Sequence, residues 1–366
     1  MAEPTATPGA ASGPLVGPVE VVGAGLVGTS VGLACRRAGL EVVLSDVSPD
    51  HLRTAAGLGA GRRRRPEDRP QLVVVAVPPD HLAEAITAAL AATDAVVTDV
   101  GSVKSGPAAA VHGSDPARAD RYVGGHPMAG SERSGPLAAS AALFDGRPWA
   151  ITPHAGSAPH AVTLVEALVA LCGAVPVRLD PVEHDRAVAR TSHVPHLLSA
   201  LVAARLAEAP GDHLALSGQG VRDVTRVAGG DPRLYGQIVS ANAEAVLALL
   251  GEVQRELETV VGAVARGDRD GLEAVLARGV AGTRAIPGKH GAPPAQTRSV
   301  FVSVPDHPGE LARLFADAGA AGVNIEDVRI DHDPGRPVGL VELTVAEVSA
   351  EHLLGSLEAR GWLTHR

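Results

Sequence analysis

From Val19 to about residue 178, short aliphatic runs rich in valine alternate with alanine-rich stretches of helical length. The runs are VEVVG, EVVLSD, QLVVVAVP and AVVTDVG. They are almost continuously apolar, as strands buried on both faces of a parallel sheet are. Helices between such strands predict a doubly wound α/β domain over 18–179. Beyond Asp180 the strand signal stops. Residues 180–284 hold helical stretches around 181–208, 213–228, 232–250 and 251–278, the later ones with apolar residues on more than one face. That predicts an all-helical domain burying part of its surface against a second subunit, a homodimer. AIPGKHGAPPAQ falls within a linker, 285–297. Over 298–366, strands near 298–304, 324–331 and 337–345 interleave with helices near 308–321 and 349–359, the first five elements of the βαββαβ order of a ferredoxin-like unit. Residues 1–17, dominated by Pro, Gly, Ala and Thr, predict a disordered tail.

Composition narrows the partners. The chain has 366 residues, enough for two or three domains. Only 2% of residues are aromatic against 45% hydrophobic, so the cores must be aliphatic. A net charge of −9 argues against nucleic acid or an anionic membrane as a partner. The run Arg62, Arg63, Arg64 and Arg65, beside Glu67 and Asp68, reads as a solvated loop. Cys35 and Cys172 are the only cysteines and have neither metal nor disulfide spacing, which fits a reduced cytoplasmic setting. No apolar run reaches the roughly 20 residues of a membrane span. The N-terminus lacks the charged and apolar regions of a secretory signal.

VEVVGAGLVGTSVG places Gly23, Gly25 and Gly28 in G-x-G-x-x-G register between a strand and a helix. The three glycines permit a tight turn, close approach to a pyrophosphate, and close helix packing. The amides at the helix start, Leu26 and Val27, then face the phosphates. Asp46 ends the second strand 18 residues past Gly28, where a carboxylate accepts ribose hydroxyls and repels a 2′-phosphate. This Rossmann-type fingerprint favours NAD.

TDVGSVKSG follows the fourth strand and sends Asp99, Ser102 and Lys104 toward the crevice where such folds bind ligands. Ser102 could equally cap the next helix. GGHPMAGSERSG (124–135), too rich in glycine and proline to predict a helix or strand, reads as a loop presenting His126 with Ser131, Glu132 and Arg133. A histidine is suited to taking a hydroxyl proton while the adjoining carbon loses hydride. EHDRAVARTSHVPHLLSAL adds His184, Asp185, His193 and His196. The last two lie three residues apart, but no further ligand set accompanies them, so no metal is expected. Arg222 and Arg226 lie four apart on one helical face, as carboxylate clamps can. Arg222 could instead pair with Asp223 or Asp185.

These segments, in this order, resemble the prephenate and arogenate dehydrogenases of the TyrA type. The resemblance spans about 19–280 and is carried by VVGAGLVGTSVG, VAVPP, TDVGSVK, GGHPMAGSERSG, HDRAVARTSHVPH and RDVTRVAGGDPRLY. It implies NAD-dependent oxidative decarboxylation of prephenate to 4-hydroxyphenylpyruvate. His126 would be the catalytic histidine, Ser102 the serine that orients it with the hydroxyl, Arg226 a carboxylate-binding arginine, and His193 a pocket residue, with Ser131 also on the substrate. Tyr235 stands where relatives often carry a tryptophan that reaches the partner subunit's pocket. Arogenate, with an amino group in place of the keto group, would need a carboxylate nearby, and Glu132, Asp185 and Asp231 are candidates. A β-hydroxyacid dehydrogenase would use a lysine in the helical domain, which has none before Lys289. A sensor retaining the fold without catalysis is the alternative outside enzymes. In the last unit, Asp306, His307, Pro308 and Gly309 at a strand-to-helix turn, with Asn324 and Ile325 beginning the next strand, resemble an ACT regulatory domain. By that resemblance its effector would be an amino acid such as L-tyrosine.

Overall fold

A computed structural model describes residues 14–130, 134–286, 297–332 and 338–365. They form two compact units, one ending at Glu258 and one starting at Thr259.

The first unit is built on eight strands: β1 (Val19–Val22), β2 (Val42–Ser45), β3 (Arg62–Arg63), β4 (Leu72–Val75), β5 (Val96–Asp99), β6 (Tyr122–Pro127), β7 (Pro148–Thr152) and β8 (Val175–Arg178). Their order in the sheet is β3-β2-β1-β4-β5-β6-β7-β8. The first six run parallel; β7 is antiparallel to β6 and parallel to β8. Helices α1 (Leu26–Arg37), α2 (Pro49–Gly57), α3 (Pro79–Ala92), α4 (Ser105–Ser114) and α5 (Pro159–Leu171) connect them. The four apolar runs become β1, β2, β4 and β5, with residues such as Val21, Leu44, Val74 and Val97 fully buried. One aliphatic core gathers α1 and α5 on one side of the sheet, and another gathers α3 and α4.

Two local expectations change. Residues 124–127 are not loop: GGHP is the end of β6, buried throughout. Glycine is a poor strand former in general, but here crowding demands it. A Cβ on Gly124 would lie 2.4 Å from Thr152 Oγ1, and one on Gly125 would lie 2.6 Å from the Asp99 carbonyl oxygen. The arginine run is not simply solvated either. Arg62 forks between Glu41 and Asp68, and Arg64 lies 2.9 Å from buried Glu20 on β1. Alternate side chains of the run thereby tie down the short edge strand β3, while Arg63 and Arg65 face solvent.

After β8 the chain is helical: α6 (Pro181–Val188), a wide turn of helix over Ala189–His193, α7 (Val194–Ala207), α8 (Gly211–Leu214), α9 (Gln219–Thr225), a tight turn over Arg226–Gly229, α10 (Pro232–Ala241) and α11 (Ala243–Arg266), the last continuing past Glu258. Asp180 caps α6 through the amides of Val182 and Glu183. The helix expected over 232–250 is broken at buried Asn242, between α10 and α11.

In the second unit, α12 (Arg269–Arg284) precedes a four-stranded sheet of β9 (Thr297–Pro305), β10 (Ile325–His332), β11 (Val338–Ala346) and β12 (Leu363–His365), with α13 (Glu310–Ala320) and α14 (Glu347–Glu358). The order β10-β11-β9-β12, antiparallel throughout, is the ferredoxin-like arrangement. Its core is aliphatic, with Val302, Leu314, Leu343 and Leu353 fully buried, and Trp362 at its edge.

Candidate active site

The glycine loop divides its labour among three positions. Gly23, at the end of β1, has φ +102°, and a Cβ there would meet the Ala76 carbonyl oxygen at 2.3 Å. A Cβ on Gly28 would strike the Gly23 carbonyl oxygen at 1.9 Å. These two glycines serve packing. Gly25 differs, with nothing within 4 Å of the place a Cβ would occupy. It stands at the start of α1, where no side chain caps the helix, so the amides of Leu26 and Val27 face that open space. Asp46 fixes the neighbouring turn: its carboxylate accepts the Ala24 amide at 2.5 Å and the Ser48 amide at 2.6 Å. An uncapped helix start over an open cradle, flanked by a carboxylate, fits the pyrophosphate and ribose of NAD.

His126 lies at the carboxyl end of β6, 9% exposed. Its Nδ1 is 2.9 Å from Nε2 of His184, whose Nδ1 is 2.8 Å from Oδ1 of Asp185. Asp185 also accepts the amides of Lys104 and Ser105, each at 2.8 Å, and so caps α4 from α6. This answers the open question at Ser102: it is half-buried and does not cap α4. Burial works to raise the Asp185 carboxyl, but hydrogen bonds from His184, Ser105 and Lys104 outweigh it and hold the group below the usual range. Burial, then the neighbouring His184, Lys104 and His193, keep His126 well below an ordinary histidine. It is neutral at physiological pH.

Lys104 does not project into an open crevice. Fully buried, it pairs with equally buried Asp99 and donates to the Gly125 carbonyl oxygen at 2.8 Å. Asp99 in turn accepts the Tyr122 hydroxyl at 2.9 Å and the Gly101 amide at 2.9 Å. The pair therefore braces the strand under His126. Breaking such a buried pair costs about 3–5 kcal/mol.

His193 is buried on the wide helical turn, and burial pushes its pKa down to about 4. Asn242 Nδ2 donates to the Asp185 carbonyl oxygen at 2.8 Å and also lies 3.1 Å from His193 Nδ1. That ring nitrogen therefore accepts, and the ring hydrogen of neutral His193 sits on Nε2. His196 does not join His193. Its ring stacks on Tyr235 of the same chain, 3.4 Å between centroids and 9° from parallel. Arg226 opens its tight turn, held to α7 by the Ser199 hydroxyl donating to the Val224 carbonyl oxygen at 2.7 Å. Arg222 and Arg226 are exposed, with no ion pair among the described residues. Asp223 accepts from Gln219, and Asp231 caps α10 through the Arg233 amide. Ser131, Glu132 and Arg133 lie outside the described residues.

Sequence reasoning missed the bond joining His126 to His184, and the cap that Asp185 makes. The adjacency of His184 and Asp185 was visible, but their 58-residue separation from His126 hid the contact. In the second unit, Asp306–Gly309 form the turn between β9 and α13, with Gly309 left-handed at φ +95°. Asn324 precedes β10 and donates to Glu326 at 2.7 Å.

Comparison with known proteins places this geometry. Residues 31–178 match the family model for the prephenate dehydrogenase nucleotide-binding domain, and residues 180–278 match that for its dimerization domain. The chain is 41% identical to a probable prephenate dehydrogenase, NovF, of Streptomyces niveus, covering 93% of this chain and 98% of that one. A prephenate dehydrogenase of Bacillus subtilis is 28% identical over 85% of this chain and 87% of its own. Among solved structures, the prephenate dehydrogenase of A. aeolicus, in complex with hydroxyphenyl propionate and NAD+, superposes with a TM-score of 0.66 at 26% identity, over 72% of this chain and 96% of that one. An arogenate dehydrogenase from Synechocystis gives a TM-score of 0.62 at 26% identity, over 72% and 98%. With both domain models matched in order over a Rossmann-type sheet and a buried His126–His184 pair, the chain belongs to the prephenate dehydrogenase family.

Proposed function

We propose that this chain oxidatively decarboxylates prephenate to 4-hydroxyphenylpyruvate, with NAD as the oxidant. The observation that carries the reading is His126, neutral and buried at the carboxyl end of the sheet. Gly25, Leu26, Val27 and Asp46 would hold the dinucleotide, and Gly23 and Gly28 shape the loop. Bound there, NAD supplies the hydride acceptor. His126 takes the proton of the ring hydroxyl as hydride leaves the same carbon. The ring carboxylate departs as CO₂ and leaves its electron pair to complete the aromatic ring; the proton held on His126 returns to the ring oxygen, so 4-hydroxyphenylpyruvate, CO₂ and NADH balance the reaction with no net proton. Ser102 orients the hydroxyl against His126. Arg226 and His193, with Ser131, bind and orient the substrate. Tyr235, stacked on His196, would contribute to the substrate pocket from α10.

Prephenate is the substrate we assign; among the carboxylates that could receive an amino group, Asp185 already accepts from α4 and faces His184, Asp231 caps α10, and Glu132 lies outside the described residues. The dimer reading rests on the dimerization-domain match and on exposed aliphatic residues such as Leu201 and Leu247. Cys35 and Cys172, both buried and free, support a reduced, cytoplasmic setting. The turn Asp306, His307, Pro308, Gly309 with Asn324 and Ile325 supports an ACT-type regulatory unit taking L-tyrosine. The domain limits follow the same reading: 18–179 for cofactor, 180–284 for substrate and dimer, and 298–366 for regulation, after a linker over 285–297.

The test is NADH formation by purified protein given prephenate or arogenate with NAD or NADP. Turnover with prephenate and NAD, and a kcat/KM at least tenfold lower for arogenate, is expected. Turnover with arogenate alone would reverse the substrate assignment. Silence with all four combinations would move the chain to a sensor.

A further inference from the structure

We propose that Asp185, acting through His184, holds His126 in the one tautomer whose Nε2 is bare, making it a base before substrate arrives. The inference rests on the reading of His126 as proton acceptor. It begins with an acceptor that cannot turn. Asp185 receives the amides of Lys104 and Ser105 on its two oxygens, so both its position and its role as acceptor are fixed by the start of α4. The His184 nitrogen facing Oδ1 at 2.8 Å must therefore carry a hydrogen.

With a single ring hydrogen on His184, held on Nδ1 by Asp185, its Nε2 is a lone pair. That lone pair lies 2.9 Å from Nδ1 of His126. Two lone pairs cannot share such a distance in a buried site, so Nδ1 of His126 donates. Its only ring hydrogen is then used inward, and Nε2 is left bare toward the substrate hydroxyl. His184 is 1% exposed, so water cannot re-sort the hydrogens. The charged and titratable groups around His126 are His184, Lys104 and His193, and Lys104 is paired with Asp99. When Nε2 takes the hydroxyl proton, the imidazolium keeps its Nδ1 hydrogen on His184, and Asp185 stabilises that charge one ring away.

His184 and Asp185 are thus positioning residues. The direct readout is the ring nitrogens of the intact enzyme, labelled with ¹⁵N-histidine and followed by long-range ¹H–¹⁵N correlations near neutral pH. His126 should show Nδ1 protonated and Nε2 unprotonated. A protonated Nε2 overturns the proposal. His184→Phe keeps the ring volume and leaves the α4 cap intact. It should lower kcat at least about a hundredfold, as wrong-tautomer variants of other histidine bases do, and shift the His126 signals toward Nε2–H. KM for prephenate and Kd for NAD should stay within about twofold. His184→Gln, whose amide oxygen can accept from Nδ1, should recover part of the lost kcat.

If kcat falls only together with NAD affinity and thermal stability, His184 is merely structural and the proposal fails. If His126→Asn abolishes turnover while His184→Phe does not change it, the relay fails and the base survives. If His126→Asn turns over normally, the underlying reading fails instead.

Discussion

At His126, burial decides the protonation state before any chemistry begins. A histidine pushed well below 6.5 stays a free base across neutral pH. The expected kcat/KM is therefore flat from about pH 6.5 upward and falls only on the acid side, below the usual histidine range. Steady-state rates across pH would check this, and an acid limb centred at or above pH 6.5 would contradict it. His126→Asn should cost about 10²–10⁴-fold in kcat with little change in KM, the range for loss of one general base. His193 gives a second pH effect, on stability. Its pKa is about 4 when folded and 6.5 when unfolded, so between those values the unfolded chain binds more protons. Its contribution is fully present above about pH 6.5 and is lost as pH falls toward 4. Melting temperatures of His193→Gln should accordingly decline less steeply over that window than those of the parent protein.

At the scale of elements, the glycine loop separates folding from binding. Gly28→Ala places a methyl on the Gly23 carbonyl and should lower the melting temperature sharply. Gly25→Ala has room and an ordinary φ of −77°, so the fold should hold while NAD affinity falls at least tenfold. Calorimetry and NAD titration on the two variants distinguish these outcomes, and a stable Gly28→Ala would contradict the packing argument. This loop was legible because its spacing is local, as were β1, β2, β4 and β5 from their apolar runs. The end of β6 was not. Glycine and proline signal loops unless a neighbour demands a bare backbone, and Thr152 and the Asp99 carbonyl, which make that demand, come from other strands. Lys104 stands in a legible motif, but its burial against Asp99 follows from the sheet and not from the motif.

For the whole molecule, the helical region leaves large aliphatic side chains in solvent. Leu201 is 64% exposed and Leu247 67%. Exposed apolar surface of this kind marks an interface. The protein should sediment at twice its 37.1 kDa chain mass, and Leu201→Glu with Leu247→Glu should shift it toward the monomer. A monomeric parent protein would refute the assignment. The apolar multi-face pattern of these helices was readable from sequence. The wiring of Asp185 was not, because it depends on docking segments about eighty residues apart.

That wiring has a consequence for how the enzyme can fail. Asp185 gives both oxygens to the start of α4 and shares one of them with His184, so the same carboxylate that ties α6 to α4 also orients the proposed base. The two events form a logical AND. A chain whose nucleotide loop is formed but whose α6 has not docked would lack the oriented His126. Such a chain can hold the oxidant without spending it, and incomplete copies stay inert rather than become sloppy catalysts.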